Sequence, residues 1–271
     1  MYCSIIISYL EWRSTLLLVI DVGNTHTVFG VYEKEKLKHF WRISTDLKKT
    51  EDEFAMLFKS LLAEQGINFT KIEAIVVSCV TPPLNWILEK LSQKYFDISP
   101  MTVNADMTLN ININIDYPRE IGADRIVNAV AAYALFSMPA IIVDFGTATT
   151  FCALDREGCY RGGAIAPGLE ICAQALFEKT AKLSEVTIKK PIHVIGKNTV
   201  EAIQSGIYFG HLGLTRELIK HFKNELGEEA KVIATGGQAE IIEKGCQLID
   251  YIDPLLTLKG LKIIYDLNRN N

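Results

Sequence analysis

Two short segments of this chain read almost alike, and their repetition limits the folds open to it. Leu18-Val-Ile-Asp21-Val-Gly-Asn-Thr25 and Ile141-Ile-Val-Asp144-Phe-Gly-Thr-Ala148 each carry an apolar run into a D-x-G-[NT] turn. Asp21 and Asp144 are 123 residues apart, and so are Gly23 and Gly146. A short apolar run between turn signals reads as a buried strand. After each turn the chain becomes β-rich again, at residues 27–32 and 151–154. Each half thus opens as strand, turn, strand. The pattern points to duplication of an α/β domain led by a β-hairpin. Residues 16–137 and 138–271 are the expected halves, with the boundary near 134–139. A length of 271 residues suits two such units.

Other signals alternate between helix and strand. Thr50-Glu-Asp-Glu53 is a capping box. Phe54, Leu57, Phe58, Leu61 and Leu62 follow at helical spacing, and Gly66 stops them. Residues 74–79 read as a strand halted by Pro82-Pro83, and Leu84, Ile87, Leu88 and Leu91 as an amphipathic helix. The Asn- and Ile-rich residues 107–117 read as irregular or as an edge strand. Ile126, Ala129, Val130 and Tyr133 mark a helix. In the second half, residues 162–168 read as a glycine-rich loop leading into a helix. Residues 199–225 read as a long helix with kinks at Gly206 and Gly210, and 231–234 as a strand ending in Thr235-Gly-Gly237.

Composition removes several classes of function. A net charge of −4 gives no broad positive field for a polyanion, which argues against nucleic-acid binding. Six cysteines without a C-x-x-C pair read as reduced thiols in a cytoplasmic protein, mostly buried. Residues 1–15 hold an apolar run interrupted by Glu11 and Arg13. The basic residue follows the run, opposite to a signal peptide, and the run is too short to span a bilayer. It reads as an N-terminal extension or an early start. Trp41 and Trp86 read as packing residues.

The turns carry the chemistry. A glycine lets backbone N–H groups approach a phosphate, and Asn or Thr side chains add donors. A carboxylate at the strand end suits a hydrated Mg²⁺, which takes one or two carboxylates plus substrate phosphate. Two such hairpins face to face would clamp a nucleoside triphosphate. The turn after residue 234 offers a surface for its adenosine. Neither a Walker A motif nor G-x-G-x-x-G is present, which disfavours P-loop and Rossmann schemes. Gly122-Ala-Asp-Arg125 opens a helix. Its acid could compensate the helix dipole, or act as a general base beside an arginine that anchors substrate.

Asp21-Val-Gly-Asn-Thr25, Gly122-Ala-Asp-Arg125, Asp144-Phe-Gly-Thr-Ala-Thr149, Gly162-Gly-Ala-Ile-Ala-Pro-Gly168 and Ala234-Thr-Gly-Gly237, in this order, resemble the motif series of bacterial type III pantothenate kinases. The resemblance runs from about residue 16 to about residue 261. It implies duplicated ribonuclease-H-like, actin-like ATPase domains with mixed sheets flanked by helices. It implies ATP-dependent phosphorylation of pantothenate, the first step of coenzyme A synthesis, with Mg²⁺ and a monovalent cation, K⁺ or NH₄⁺.

Carried over by position, Asp21, Val22, Gly23, Asn24, Thr25, His26, Thr27 and Val28 would form the first phosphate loop, with Asp21 near Mg²⁺ through water. Thr147 would contact ATP phosphate, and Asp144 would help hold the monovalent cation. Gly122, Ala123, Asp124 and Arg125 would line the pantothenate pocket, with Asp124 accepting the proton. Thr180 matches a position that reaches pantothenate from a partner subunit, so the resemblance implies a homodimer with its active site at the interface. Two positions depart from the family pattern. Ile115 stands where a substrate-facing Tyr is usual, with Tyr117 the nearest tyrosine, and Ser184 stands where Pro is usual. Another small-molecule kinase of the same superfold, or a non-enzymatic accessory protein, remain the competing readings, because fold alone does not fix substrate.

Overall fold

A computed structural model describes residues 16–179 and 186–269. The N-terminal segment 1–15, Thr180 and Ser184 fall outside the described residues. β1 (Leu16–Val22), β2 (His26–Glu33) and β3 (Lys36–Ser44) form an antiparallel meander. α1 (Glu51–Ala63) leads to β4 (Ile72–Cys79), which lies parallel to β1. α2 (Pro82–Phe96) then leads to β5 (Met101–Thr102), parallel to β4, and α3 (Ala123–Leu135) follows. The sequence then repeats the plan. β6 (Ala140–Phe145), β7 (Ala148–Leu154) and β8 (Tyr160–Pro167) form a second meander. α4 (Leu169–Lys179), α5 (Thr199–Leu226), β9 (Lys231–Thr235), α6 (Ala239–Glu243), β10 (Tyr251–Ile252) and α7 (Leu256–Asn268) complete it. The sheet orders are β3-β2-β1-β4-β5 and β8-β7-β6-β9-β10. The repetition seen in two turns thus extends to the topology of both sheets.

Local chemistry explains the element ends. The Thr50 side chain accepts from Glu53 N–H while Glu53 reaches back to Thr50 N–H, so the capping box starts α1 as expected. Pro82 begins α2, where its missing N–H has no intrahelical partner to lose. Residues 162–168 correct the sequence reading, because most of them are strand β8 rather than loop. Glycines suggested a loop. A Cβ at Gly163 would strike the Phe151 carbonyl, so glycine here permits close strand pairing. α5 continues through Gly206 and Gly210 as one helix.

Three apolar layers hold the two sheets. α1 and α2 cover the outer face of the first sheet, where Leu18, Ile20, Phe54, Phe58, Leu84 and Leu88 are buried. α5 and α6 cover the outer face of the second, around Val143, Phe145, Tyr208 and Ile242. α3 and α7 fill the central layer against Leu17, Val19 and Ile142. α3 buries its small residues Ala129, Ala131 and Ala132 completely. Trp41 is partly buried and stacks on Phe29 with centroids 5.1 Å apart. Trp86 differs from expectation. It is exposed, with the Lys90 ammonium 3.5 Å from its ring centroid. Cys152 and Cys246 are buried free thiols, while Cys79, Cys159 and Cys172 are half-buried. Among the described residues no helix is long and apolar enough to cross a membrane.

Candidate active site

Strand alternation aims the two repeated aspartates at each other's layer. On β1, Leu17 and Val19 point into the central layer, so Asp21, two residues on, points the same way. On β6, Ala140 and Ile142 do the same, and Asp144 follows. Asp124 joins them from the first turn of α3, whose N-cap is Gly122. All three line one cavity of about 640 Å³ between the halves. That volume falls within the usual range for small-molecule sites.

The hairpin turns form its rim. Gly23 N–H donates to the His26 carbonyl at 3.0 Å, and Gly146 N–H to the Ala148 carbonyl at 3.1 Å. The Thr25 and Thr147 hydroxyls meet at 2.7 Å, joining the two turns directly. Thr45 braces the first turn, with its hydroxyl donating to the Gly23 carbonyl at 2.8 Å and its N–H to the Thr25 carbonyl at 2.9 Å. Behind the second turn, Gly236 has a φ of +91°, and a Cβ there would collide with Asp144 Oδ1 and the Phe145 backbone. Only glycine meets both conditions.

Burial and mutual repulsion raise the acids. Asp21 is pushed up to about 7, first by desolvation and then by the Asp124 charge, with the Ser78 hydroxyl opposing. Asp144 is also pushed up to about 7, first by desolvation and then by Asp124, with the Asn128 amide opposing. Asp124 is raised by desolvation and opposed by the Arg125 backbone N–H, which donates to its Oδ1 at 2.8 Å, and by the Arg125 charge. The cluster therefore holds extra protons near neutral pH, and a bound cation would relieve it.

Asp21, Gly23, Asn24, Thr25, His26, Val28, Asp124, Asp144 and Thr147 all line the cavity. Val22 and Thr27 belong to the same hairpin but turn into the core, and Thr27 bonds the Thr45 hydroxyl at 2.9 Å. Gly122, Ala123 and Arg125 do not line this cavity. Arg125 instead lies beside the Tyr160 hydroxyl. Ile115 packs against the central layer, and Tyr117 is exposed and away from the cavity lining. Three contributors escaped the sequence reading. Asn128 Nδ2 donates to Asp144 Oδ2 at 3.0 Å, and the Thr257 hydroxyl donates to Asn128 Oδ1 at 2.9 Å. Asn128 sits one helical turn after Asp124 on α3, the one signal available for it. Arg42, on β3, also lines the cavity.

The family profile of type III pantothenate kinase matches residues 17–221, about three quarters of the chain. The chain belongs to the type III pantothenate kinase family. Membership makes it an ATP-dependent phosphotransferase of the pantothenate kinase type. Solved structures share the fold. A Campylobacter jejuni protein described as a Baf family transcriptional activator aligns with a TM-score of 0.58 at 20% identity, over 94% of this chain and 100% of that one. Ethanolamine utilization protein EutJ from Carboxydothermus hydrogenoformans gives 0.54 at 13% identity, over 92% and 89%. Component A of (R)-2-hydroxyglutaryl-CoA dehydratase from Acidaminococcus fermentans gives 0.53 at 15% identity, over 94% and 97%. These similarities concern the fold alone: two mixed sheets flanked by helices, as the motifs implied.

Proposed function

We propose that this protein transfers the γ-phosphoryl group of ATP to the primary hydroxyl of pantothenate, with Asp124 as general base. The observation that supports it most directly is the convergence of Asp21, Asp124 and Asp144, from three separate elements, on one cavity rimmed by two phosphate-type turns. The hydroxyl oxygen attacks the γ-phosphorus and its proton passes to Asp124. The new O–P bond forms as the bond to the β,γ-bridging oxygen breaks, and ADP leaves with that electron pair. Desolvation that raises Asp124 brings it closer to a working pH, which is what a general base requires. Backbone N–H groups and hydroxyls of residues 23–28, with Thr147, position the phosphates.

Residues Gly122, Ala123 and Arg125 extend the site from Asp124 toward Tyr160, and the Arg125 guanidinium anchors the pantothenate carboxylate. Asp21 fits a Mg²⁺ ion held through water. Among the described residues no group of three His, Cys, Asp or Glu forms a metal cage, and Mg²⁺ bound with nucleotide needs only one or two carboxylates. When bound, Mg²⁺ neutralises charge on the transferring phosphoryl group. Asp144 helps hold the monovalent cation, K⁺ or NH₄⁺.

Residues 16–137 and 138–271 act as the two closing halves of a homodimeric, cytoplasmic enzyme. The dimer assignment draws support from exposed Ile165 on the edge strand β8 and from exposed Ile171 and Phe177 on α4. α4 ends at Lys179, the residue before Thr180 in the sequence. The test is an assay of purified protein with ATP, Mg²⁺, K⁺ and pantothenate, reading 4'-phosphopantothenate by mass. Product is expected from the wild type and almost none from Asp124→Asn. Absence of product from folded wild type would overturn the reading.

A further inference from the structure

We infer that Arg42 is a nucleotide-phosphate-binding residue that links the first sheet to the second across the cleft. The inference rests on the kinase reading above and says how so acidic a site takes a polyanion. Asp21, Asp124, Asp144, Glu170 and Asp253 all line the cavity, and Arg42 is the one Lys or Arg among the lining residues described. No carboxylate among the described residues pairs with it. Among the described lining residues Arg42 is thus the one formal positive charge offered to a triphosphate.

The sheet register aims Arg42 at that task. Asp21 pairs with Val28, and Val28 pairs with Arg42, so the three share one rung. Side chains on one rung project from the same face of a sheet, and two strand spacings separate Asp21 from Arg42 by about 10 Å. A carboxylate suited to the metal thus stands at one end of the rung and a guanidinium at the other. A shift in register between Val31 and Tyr32 makes this possible. Leu37 faces the central layer, so strict alternation would send Arg42 outward. The extra residue, Lys38, reverses the phase. Phe40 and Arg42 turn into the cleft, and Trp41 and Ile43 pack into the outer core instead.

Across the cleft the guanidinium lies against the second half. A Cβ built on Gly237 would meet Arg42 Nη1 at 3.2 Å. Arg42 therefore neighbours the turn at residues 235–237, not the start of α3 where the acceptor would sit. The nucleotide phosphates run between the adenosine expected at that turn and the Asp21 end of the rung, which makes them its ligand. A guanidinium binds phosphate through paired donors, which a lysine ammonium does not reproduce.

The experiment measures Mg·ADP binding by calorimetry, alongside steady-state kinetics, for wild type, Arg42→Ala and Arg42→Lys. Melting curves confirm that the variants are folded. Arg42→Ala should weaken Mg·ADP binding roughly 10- to 100-fold and raise KM for ATP similarly. KM for pantothenate should stay within about two-fold, and Arg42→Lys should recover only part of the loss. Undiminished Mg·ADP affinity in folded Arg42→Ala, or an equal rise in KM for pantothenate, overturns the inference while an active wild type leaves the kinase reading standing. Folded wild type that neither binds Mg·ADP nor makes product overturns both.

Discussion

The hydroxyls of Thr25 and Thr147 touch at 2.7 Å although the residues end corresponding turns in opposite halves of the chain. The contact couples the two turns. In the proposed kinase reading each hydroxyl also donates to phosphate oxygens once nucleotide enters. Thr25→Val and Thr147→Val should each raise KM for ATP roughly 3- to 10-fold and change free-protein stability by less than about 1 kcal/mol, since the contact is exposed. A double-mutant cycle on melting temperature should show coupling in the free protein and less with Mg·ATP bound. Equal coupling in both states would show that the hydroxyls never turn toward the phosphates.

Asp124→Asn keeps the shape of the acid and removes its basicity. The expected loss in kcat is about 10²- to 10⁴-fold, the usual range for a general base. KM for ATP should stay within about three-fold, because the proposed phosphate contacts belong to the hairpins and Arg42 rather than to Asp124. Steady-state kinetics with both substrates varied checks this split.

The contribution of Asp21 and Asp144 to the stability of the free protein should fall as pH rises from about 4 to about 7. Asp21 and Asp144 are each raised to about 7 when folded, against about 4 for an unfolded Asp. The folded state then binds more protons over that window, so its advantage is complete below about pH 4 and lost as pH passes 7. Asp21→Asn or Asp144→Asn should raise metal-free stability at pH 8 by on the order of 1–2 kcal/mol while lowering activity. At pH 4 the difference should vanish. Thermal melts across this range, without divalent cation, read the slope.

Asn128 donates to Asp144 and is itself oriented by Thr257, so three elements set one carboxylate. Removing a hydrogen bond to the charged form raises a carboxyl pKa. Asn128→Ala should therefore move the acidic limb of the kcat/KM profile to higher pH, by roughly 0.5 to 1 unit, and Thr257→Val should move it less. A variant that loses stability with its pH profile in place would reduce Asn128 to a packing role.

Much of this arrangement is legible in the amino-acid order, and the rest is hidden for identifiable reasons. Asp21 and Asp144 announce themselves because their apolar strands and glycine turns are local patterns. Thr50 and Glu53 do so for the same reason, and the capping box forms as read. β3 stays hidden because the register shift at Lys38 breaks its period-two pattern, and with it goes Arg42. Asn128 and Thr257 are 129 residues apart and meet only because α3 and α7 pack together. Gly162 and Gly163 look like loop residues, but Gly162 serves a φ of +107° within the strand and Gly163 the close backbone of the neighbouring strand.

α7 lies at the far end of the sequence, yet Leu256, Leu258, Leu261 and Ile264 sit in the same layer as Leu17, Val19 and the alanines of α3. The helix packs on α3, β1 and β4, all from the first half. On the ribosome, then, the half made first cannot complete its own interior. Leu17, Val19 and α3 must wait, uncovered, until α7 emerges. A nascent chain stopped after residue 137 would present that surface to chaperones and to other copies of itself, so the two halves are bound into one folding event by the order of their synthesis.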